Sequence, residues 1–281
     1  MTTSLASQLA ASFPGLSEYR GKTILVKYGG AAMENEATRQ SVCQEVAALA
    51  SLGINVVVVH GGGKEISRMM ERVGLQPHFI DGLRVTDTDA MIITEMVLSG
   101  TITSDLVSRI TRAGKPAMGL SGRDAQLLLA RPLKGRNGED LGQTGEVHSV
   151  NLLPIHAALS SNLVPVISPV GEDSSGRALN LNADYAAAAI AGALSATPCI
   201  FLTDVAGVKV GGAVAAELSH ERIKELIRDG TISGGMIPKV ECALRALDAG
   251  CGRAIICEAS QPTVICSALT GQGFGGTTIA S

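Results

Sequence analysis

The stretch VVVVHGGGKE, Val56 to Glu65, runs four β-branched residues into His60, three glycines and Lys64. A run that is apolar on both faces fits a strand buried inside a parallel sheet, so residues 54–60 read as such a strand. Three glycines at its end predict a strand-to-helix turn, because a residue without Cβ accepts a positive φ and lets backbone N–H groups approach an anion closely. Residues 65–73 then read as a helix with Ile66, Met69 and Met70 inward. The same pattern lies just upstream. TILVKY, residues 23–28, is a short strand that stops at Gly29-Gly30, and residues 35–52 form a helix with Val42, Val46 and Leu49 at helical spacing. Two successive strand–glycine turn–helix units predict an α/β fold with a mainly parallel sheet.

Further along, residues 88–113 carry apolar positions at 91, 92, 96, 97, 102, 106 and 110. They predict one long helix ending near Gly114, of a length expected to bury a face against another subunit. Residues 116–120 read as a strand. The polar, glycine-rich 126–150 segment, which contains KGRNGEDLGQTGEV, predicts hairpins on one edge of the sheet. Residues 164–170 are strand-like, and GEDSSGRA, 171–178, reads as a linker. The boundary is therefore placed between an N-terminal lobe, 1–177, and a C-terminal lobe, 178–281. Beyond it, 183–194 is an alanine-rich helix, 199–203 a strand, 236–249 a helix and 254–257 a strand.

A chain of 281 residues with 46% hydrophobic content can build one large or two modest domains. Its uninterrupted apolar runs fall short of the roughly 20 residues that span a bilayer, so no membrane partner is expected. Residues 1–19 contain no Lys or Arg, which fits neither a secretory nor a transit peptide and leads to the expectation of a cytoplasmic protein. The six cysteines form no Cys-x-x-Cys pair and read as free buried thiols in a reducing compartment. The five histidines form no His-Glu-x-x-His pair, and no metal site is expected in the protein itself. A net charge of −3 and 2% aromatics argue against nucleic acid as a partner.

Two familiar nucleotide motifs fail. Gly21-Lys22-Thr23 would need a glycine at position 16 for a Walker A loop, and Leu16 stands there. Gly271 to Gly276 satisfies G-x-G-x-x-G, yet five residues follow it, too few for a βαβ unit, so a nicotinamide oxidoreductase loses its only motif. More informative are two lysines. Lys27 ends the first strand, and Lys239 follows Gly234-Gly235 at a helix start, where a cation opposes the helix dipole by about 0.3–1 kcal/mol unless an anion shares the site. In NLNAD, 180–184, Asn182 reads as an N-cap with Asp184 in the first turn, which leaves Asn180 unexplained. Arg84 reads either as a surface hairpin residue or as a bidentate partner for a carboxylate.

Taken together, KYGGAAM (27–33), HGGGKEI (60–66), GLRVTD (82–87), NLNAD (180–184), LTDVAGV (202–208) and GGMIPKV (234–240) closely resemble the N-acetylglutamate kinases, of the amino-acid kinase family. The resemblance runs from about residue 20 to the C-terminus. It implies a three-layer αβα sandwich with an open, mainly parallel central sheet, the N-terminal lobe binding acetylglutamate and the C-terminal lobe ATP. It also implies transfer of a phosphoryl group from ATP, with Mg²⁺ held mainly by the ATP phosphates, to the side-chain carboxylate of N-acetyl-L-glutamate, the second step of arginine biosynthesis. By resemblance, Lys27 and Lys239 stabilise the transition state and Asp184 holds both lysines. Gly30, Gly62 and Gly63 offer backbone N–H groups, and Arg84 and Asn180 grip the substrate's α-carboxylate and acetamido end. Gly29, Gly30, Thr203, Asp204, Val205, Gly207, Gly235 and Met236 border the nucleotide.

Such a reaction needs no general base, since a carboxylate is already a nucleophile at neutral pH, and a chain without a catalytic His–Asp pair suits it. Two relatives in function stay open: an acetylaminoadipate kinase, whose substrate is longer by one methylene, and an amino-acid sensor keeping the fold without catalysis. Residues 1–20 hold a candidate N-terminal helix, Ser4 to Tyr19, with Leu5, Leu9 and Phe13 along one face, which by resemblance implies a homodimer or a hexamer built from dimers. Ser267 stands where arginine-inhibited members usually carry a glutamate, and CEASQP, 257–262, lacks their usual histidine. A PII-type regulator is a further partner known among such enzymes.

Overall fold

The computed structural model describes residues 4–280, apart from the side chains of Ala31 and Ala32. Its centre is an eight-stranded sheet in the order Glu217–Ser219, Thr277–Ala280, Ala254–Glu258, Cys199–Thr203, Thr23–Tyr28, Asn55–His60, Val164–Ser168, Ala117–Ser121. Every neighbouring pair is parallel except Ala254–Glu258 with Thr277–Ala280. The middle strand pairs Tyr28 with His60 on one side and with Leu202 on the other. Three strands thus end level, and their following turns sit side by side.

Side chains alternate across a strand, and this builds the two outer layers. Ile24, Val26, Val56 and Val58 face a core completed by helix Glu36–Ser51, helix Thr103–Arg112 and helix Val264–Thr270. Leu25, Val57 and Val59 face the opposite core, covered by helices Ala183–Ala193 and Met236–Asp248. The result is an αβα sandwich. The alanines of Ala183–Ala193 are explained by close helix approach, since a Cβ on Gly192 would lie 2.3 Å from the Ala249 Cβ. All six cysteines are free and buried.

Residues 126–150 depart from the expectation of hairpins on the sheet edge. Leu128–Lys134 and Asp140–Val150 pair antiparallel and close a separate four-stranded barrel with Val170–Glu172 and Ala178–Leu181. The 171–178 segment is not a linker either; it is the hairpin turn joining the last two of those strands. Asp173 Oδ1 accepts from Ser175 N, Ser175 Oγ and Arg177 N there, the local bonding that makes Asp and Ser turn residues as readily as linker residues. The central sheet itself pairs strands from both sides of that segment.

The long helix forms, in three parts: Thr88–Glu95, a π-helical Met96–Ile102 and Thr103–Arg112. Thr88–Arg112 has the length and composition of a membrane span although its uninterrupted apolar runs are short, and it packs Met91, Val97, Leu98, Ile102, Leu106 and Ile110 into the core. Ile92 and Met96 remain exposed on its outer side. Leu5–Ser12 is helical, capped by Ser4, and a 3₁₀ turn, Pro14–Tyr19, follows. Leu9, Phe13 and Leu16 are buried while Leu5 is exposed. Residues 1–3 of the expected N-terminal helix lie outside the described residues.

Candidate functional site

The level strand ends put the two glycine turns against each other. Gly61 N donates to Tyr28 O at 2.9 Å, and a Cβ on Gly29 would lie 3.3 Å from Gly61 N and 3.1 Å from the Lys27 ammonium. Gly30 has φ 71° with open space on its Cβ side. That conformation favours glycine and leaves the turn's backbone accessible. A cavity of about 350 Å³ lies over these ends, and Lys27, Gly29, Gly30, Asp184, Thr203, Asp204 and Lys239 line it. A larger cleft of about 950 Å³ shares Asp184 and Lys239 and extends past Gly234 and Gly235 toward the hairpin tips at Gly82 and Gly135.

Lys27 lies on the Leu25 face of its strand, the face covered by the helix that Asp184 begins. Alternation therefore aims its side chain at that helix start, and its Nζ lies 2.7 Å from Asp184 Oδ1. Asn182 caps the same helix by accepting from Asp184 N and Tyr185 N. Lys239 is in the first turn of Met236–Asp248, whose start has no side-chain cap. Its Nζ is 2.8 Å from Asp204 Oδ1 and also donates to Thr203 Oγ1. The lysine ammonium, with help from the Thr203 hydroxyl, holds the Asp204 carboxyl down at about 2. The expectation that Asp184 holds both lysines thus meets one of them, and Asp204 and Thr203, expected at the nucleotide, occupy the other.

Arg84 is on the hairpin His78–Ile80 and Leu83–Val85, turned by Asp81 and Gly82 at positive φ. It is no surface residue: 6% is exposed, its guanidinium stacks 4.7 Å from the Phe79 ring, and burial lowers its pKa. Its Nη2 donates to Gly63 O (2.8 Å) and Ser67 Oγ (2.9 Å), and its Nη1 to the Met70 thioether (3.2 Å). Among the described residues no carboxylate pairs with it. A buried guanidinium meeting only neutral acceptors keeps an uncompensated charge, which an anion arriving there would pair with strongly.

That anion would meet the start of helix Gly63–Arg72, whose N-cap, Gly62, supplies no side-chain bond to the first N–H groups. A Cβ on Gly62 would lie 2.3 Å from Ile102 Cδ1 and 2.8 Å from Leu98 Cδ2, so a side chain there would have to displace the ends of two side chains of the π-helical segment packed against it. Asn180, on strand Ala178–Leu181, donates to Thr86 Oγ1 at 3.1 Å. The Thr86 and Thr144 hydroxyls lie 2.9 Å apart and both lie within reach of the Arg84 carbonyl, so their two protons are distributed among these three oxygens.

Ser67, Thr86 and Thr144, which sequence reading did not assign, thus join the hydrogen-bond network around Arg84 and Asn180. Thr86 lay inside the GLRVTD motif, whereas Thr144, 58 positions away, meets it only through tertiary contact. Gly62, Gly63, Arg84, Asn180, Val205, Gly207 and Met236 line neither cavity. Gly207 is explained by packing, with a Cβ there 2.7 Å from Thr277 Oγ1 and 2.8 Å from Val214 Cγ1. His60 is fully buried, its Nδ1 3.0 Å from Gly61 O and its Nε2 2.7 Å from Thr103 Oγ1, and burial pushes the imidazole down to about 4.

The sequence model of the amino acid kinase family matches residues 22–258. The acetylglutamate kinase of Marinobacter nauticus is 42% identical over 256 residues, 88% of each chain. That of Synechococcus elongatus is 42% identical over 278 residues, 97% of this chain and 91% of the relative. Among solved structures, smu.665 from Streptococcus mutans UA159 superimposes with a TM-score of 0.76 at 29% identity, covering 92% of this chain and 98% of that one. N-acetylglutamate synthase from Neisseria gonorrhoeae, complexed with coenzyme A and N-acetyl-glutamate, gives 0.85 at 24% identity over 99% of this chain, which shows a shared fold. This chain spans 64% of that synthase's length.

Proposed function

This chain belongs to the amino acid kinase family, and from that premise we propose that it is an acetylglutamate kinase. It transfers the γ-phosphoryl group of ATP to the side-chain carboxylate of N-acetyl-L-glutamate. The observation that carries the reading is the convergence of Lys27 and Lys239, 212 positions apart by 239 − 27, on one cavity beside two glycine turns. Relatives named acetylglutamate kinase at 42% identity over most of the chain select the substrate.

The acceptor carboxylate attacks the γ-phosphorus; a new P–O bond forms and the bond to the β-bridging oxygen breaks, its electron pair leaving with ADP. No proton has to move, in keeping with the neutral His60 serving a structural link. Lys27 and Lys239 meet the charge on the transferring group, with the N–H groups of Gly30, Gly62 and Gly63, and this electrostatic stabilisation is the main catalytic contribution. To reach the phosphates Lys239 exchanges Asp204 for the nucleotide. Arg84 binds the α-carboxylate, and Asn180 the acetamido end. Thr203, Asp204, Val205, Gly207, Gly235 and Met236 form the nucleotide side. Among the described residues no group of three His, Cys, Asp or Glu lies together, and Asp184 and Asp204 are engaged by lysines. Mg²⁺ would be held mainly by the ATP phosphates and would add positive charge at the transferring group.

This reading places the enzyme in the cytoplasm and in a homodimer. Ile92, Met96 and Met118 are exposed on the long helix and on the edge strand Ala117–Ser121, and an open strand edge beside apolar side chains suits a second copy. Leu5–Ser12 would join dimers into a hexamer. The functional test is ATP-dependent acyl phosphate formation, trapped as the hydroxamate, with N-acetylglutamate, N-acetylaminoadipate and aspartate. Product with N-acetylglutamate in clear preference is expected. A preference for the longer acid would reassign the substrate, and silence with all three would refute a kinase.

A further inference from the structure

Two polar links, one buried and one part-buried, leave one helix and end at the two glycine turns of the site. Thr103 opens helix Thr103–Arg112, and Asp105 follows two positions later. At 3.6 residues per turn these side chains leave the axis about 200° apart, so they serve different neighbours. Thr103 Oγ1 meets the buried His60 ring, whose other nitrogen meets the Gly61 carbonyl at 3.0 Å. With a neutral ring, Nδ1–H donates to Gly61 O and Nε2 accepts the Thr103 hydroxyl, which also lies 2.9 Å from Leu98 O. That chain of bonds orients the peptide just before Gly62 and Gly63.

Asp105 works on the other turn. Its Oδ2 accepts from Arg39 Nη1 at 3.3 Å, and Arg39 in turn donates through Nε (2.9 Å) and Nη2 to the Met33 carbonyl, the last residue of the Gly30–Met33 turn. Arg109 holds Asp105 at 2.9 and 2.8 Å while its own far end pairs with Glu36 at 2.5 Å. Arg39 is therefore fixed at both ends, on a carboxylate already oriented by a second arginine. None of these groups lines the reaction cavity.

We propose that the first turn of helix Thr103–Arg112 positions both phosphoryl-site turns independently, with Arg39 setting Gly30–Met33 for ATP and His60, through Thr103, setting Gly61–Gly63 for the acyl amino acid. Both are positioning residues, acting through backbone carbonyls. The inference rests on the kinase reading and adds which substrate each link serves.

Its test is a crossed kinetic pattern in the full-length enzyme, with KM for ATP and for N-acetylglutamate, kcat and Tm measured on four variants. Arg39→Gln is expected to lower kcat about 10–100-fold and raise KM for ATP, leaving KM for N-acetylglutamate within about twofold. Thr103→Val is expected to raise KM for N-acetylglutamate and spare that for ATP. Arg39→Lys and Thr103→Ser, which keep one donor or the hydroxyl, should recover most of the respective loss. Should Arg39→Gln fail to fold, Asp105→Asn carries the same ATP-directed expectation in milder form. Joint shifts of both KM values, unchanged kinetics, or a loss that only follows the unfolded fraction would overturn the assignment. A wild type that forms no acyl phosphate would overturn both this inference and the kinase reading, whereas an active wild type with uncrossed shifts overturns the inference alone.

Discussion

Replacing Lys239 with alanine separates catalysis from stability. The lysine side chain is 29% exposed and its partner Asp204 55% exposed, which puts the pair in the solvent-screened class worth about 0–1 kcal/mol. The substitution also shortens a residue in the first turn of a helix whose dipole disfavours a cation there, a term of about 0.3–1 kcal/mol in the mutant's favour. The two effects nearly cancel, so Tm should hardly move. Catalysis loses far more, because one preorganised donor to developing charge is worth roughly 2.7–4 kcal/mol, or 10²- to 10³-fold in kcat. Steady-state hydroxamate assays at saturating ATP and N-acetylglutamate give kcat, and circular dichroism gives Tm. The same variant frees Asp204 of the first cause of its low pKa. Its carboxyl, protonated near pH 2 in the wild type, should titrate close to ordinary aspartate by NMR. In the wild type this pair's contribution is present above the unfolded pKa and fades as pH falls toward about 2. A folded Lys239→Ala enzyme keeping more than a tenth of wild-type kcat would refute the role.

Arg84→Lys should chiefly raise KM for N-acetylglutamate, since lysine cannot reproduce the planar fork; a rise confined to KM for ATP would contradict the placement of Arg84 at the acyl substrate. The His60 imidazole is held near 4 by burial, so the unfolded chain binds more protons between about pH 6.5 and 4 and stability must fall as pH falls through that window. From pH 7 to pH 5 the loss is about 2 kcal/mol, read from urea midpoints; a His60→Asn enzyme that folds and shows the same slope would exclude this source. Met96→Glu should weaken self-association in sedimentation velocity, because it charges a side chain that is 61% exposed on the proposed contact face; an unchanged sedimentation coefficient would move the interface elsewhere.

The parts of this molecule that were legible are those written in contiguous residues. VVVVHGGGKE encodes a strand, a turn and a helix start within ten positions, TILVKYGG a strand and its turn, and the helices follow local periodicity. The barrel was not legible, because it is closed by pairings such as Leu129 with Glu172, which no local pattern specifies. The same limit applies inside the site. His60 and Thr103 are 43 positions apart, and Arg39 and Asp105 66 apart; each reads alone as an ordinary polar residue. GEDSSGRA was misread for another reason: glycine, serine and aspartate mark a tight turn and a linker alike, and only the antiparallel pairing of the flanking strands decides.

The one divergence at the reacting groups also has a physical consequence. Two lysines sharing one aspartate would have to give it up together when a polyphosphate arrives. Here each has its own carboxylate, and the two pairs differ in exposure. Asp184 is 32% exposed beside a Lys27 side chain at 11%, whereas Asp204 is 55% exposed. Breaking the first strands a largely buried ammonium, at a cost of roughly 1–3 kcal/mol, between the surface and fully buried cases. Breaking the second returns a carboxylate to water, at about 0–1 kcal/mol. On the proposed reading, incoming phosphate would draw Lys239 away from Asp204 first, while Lys27 would stay where the strand and Asp184 place it. If Lys27 is the fixed half of such a clamp and Lys239 the half that moves, Asp184→Asn should lower both Tm and kcat, where Lys239→Ala should lower kcat with Tm preserved. Equal Tm values for these two variants would refute that division of labour.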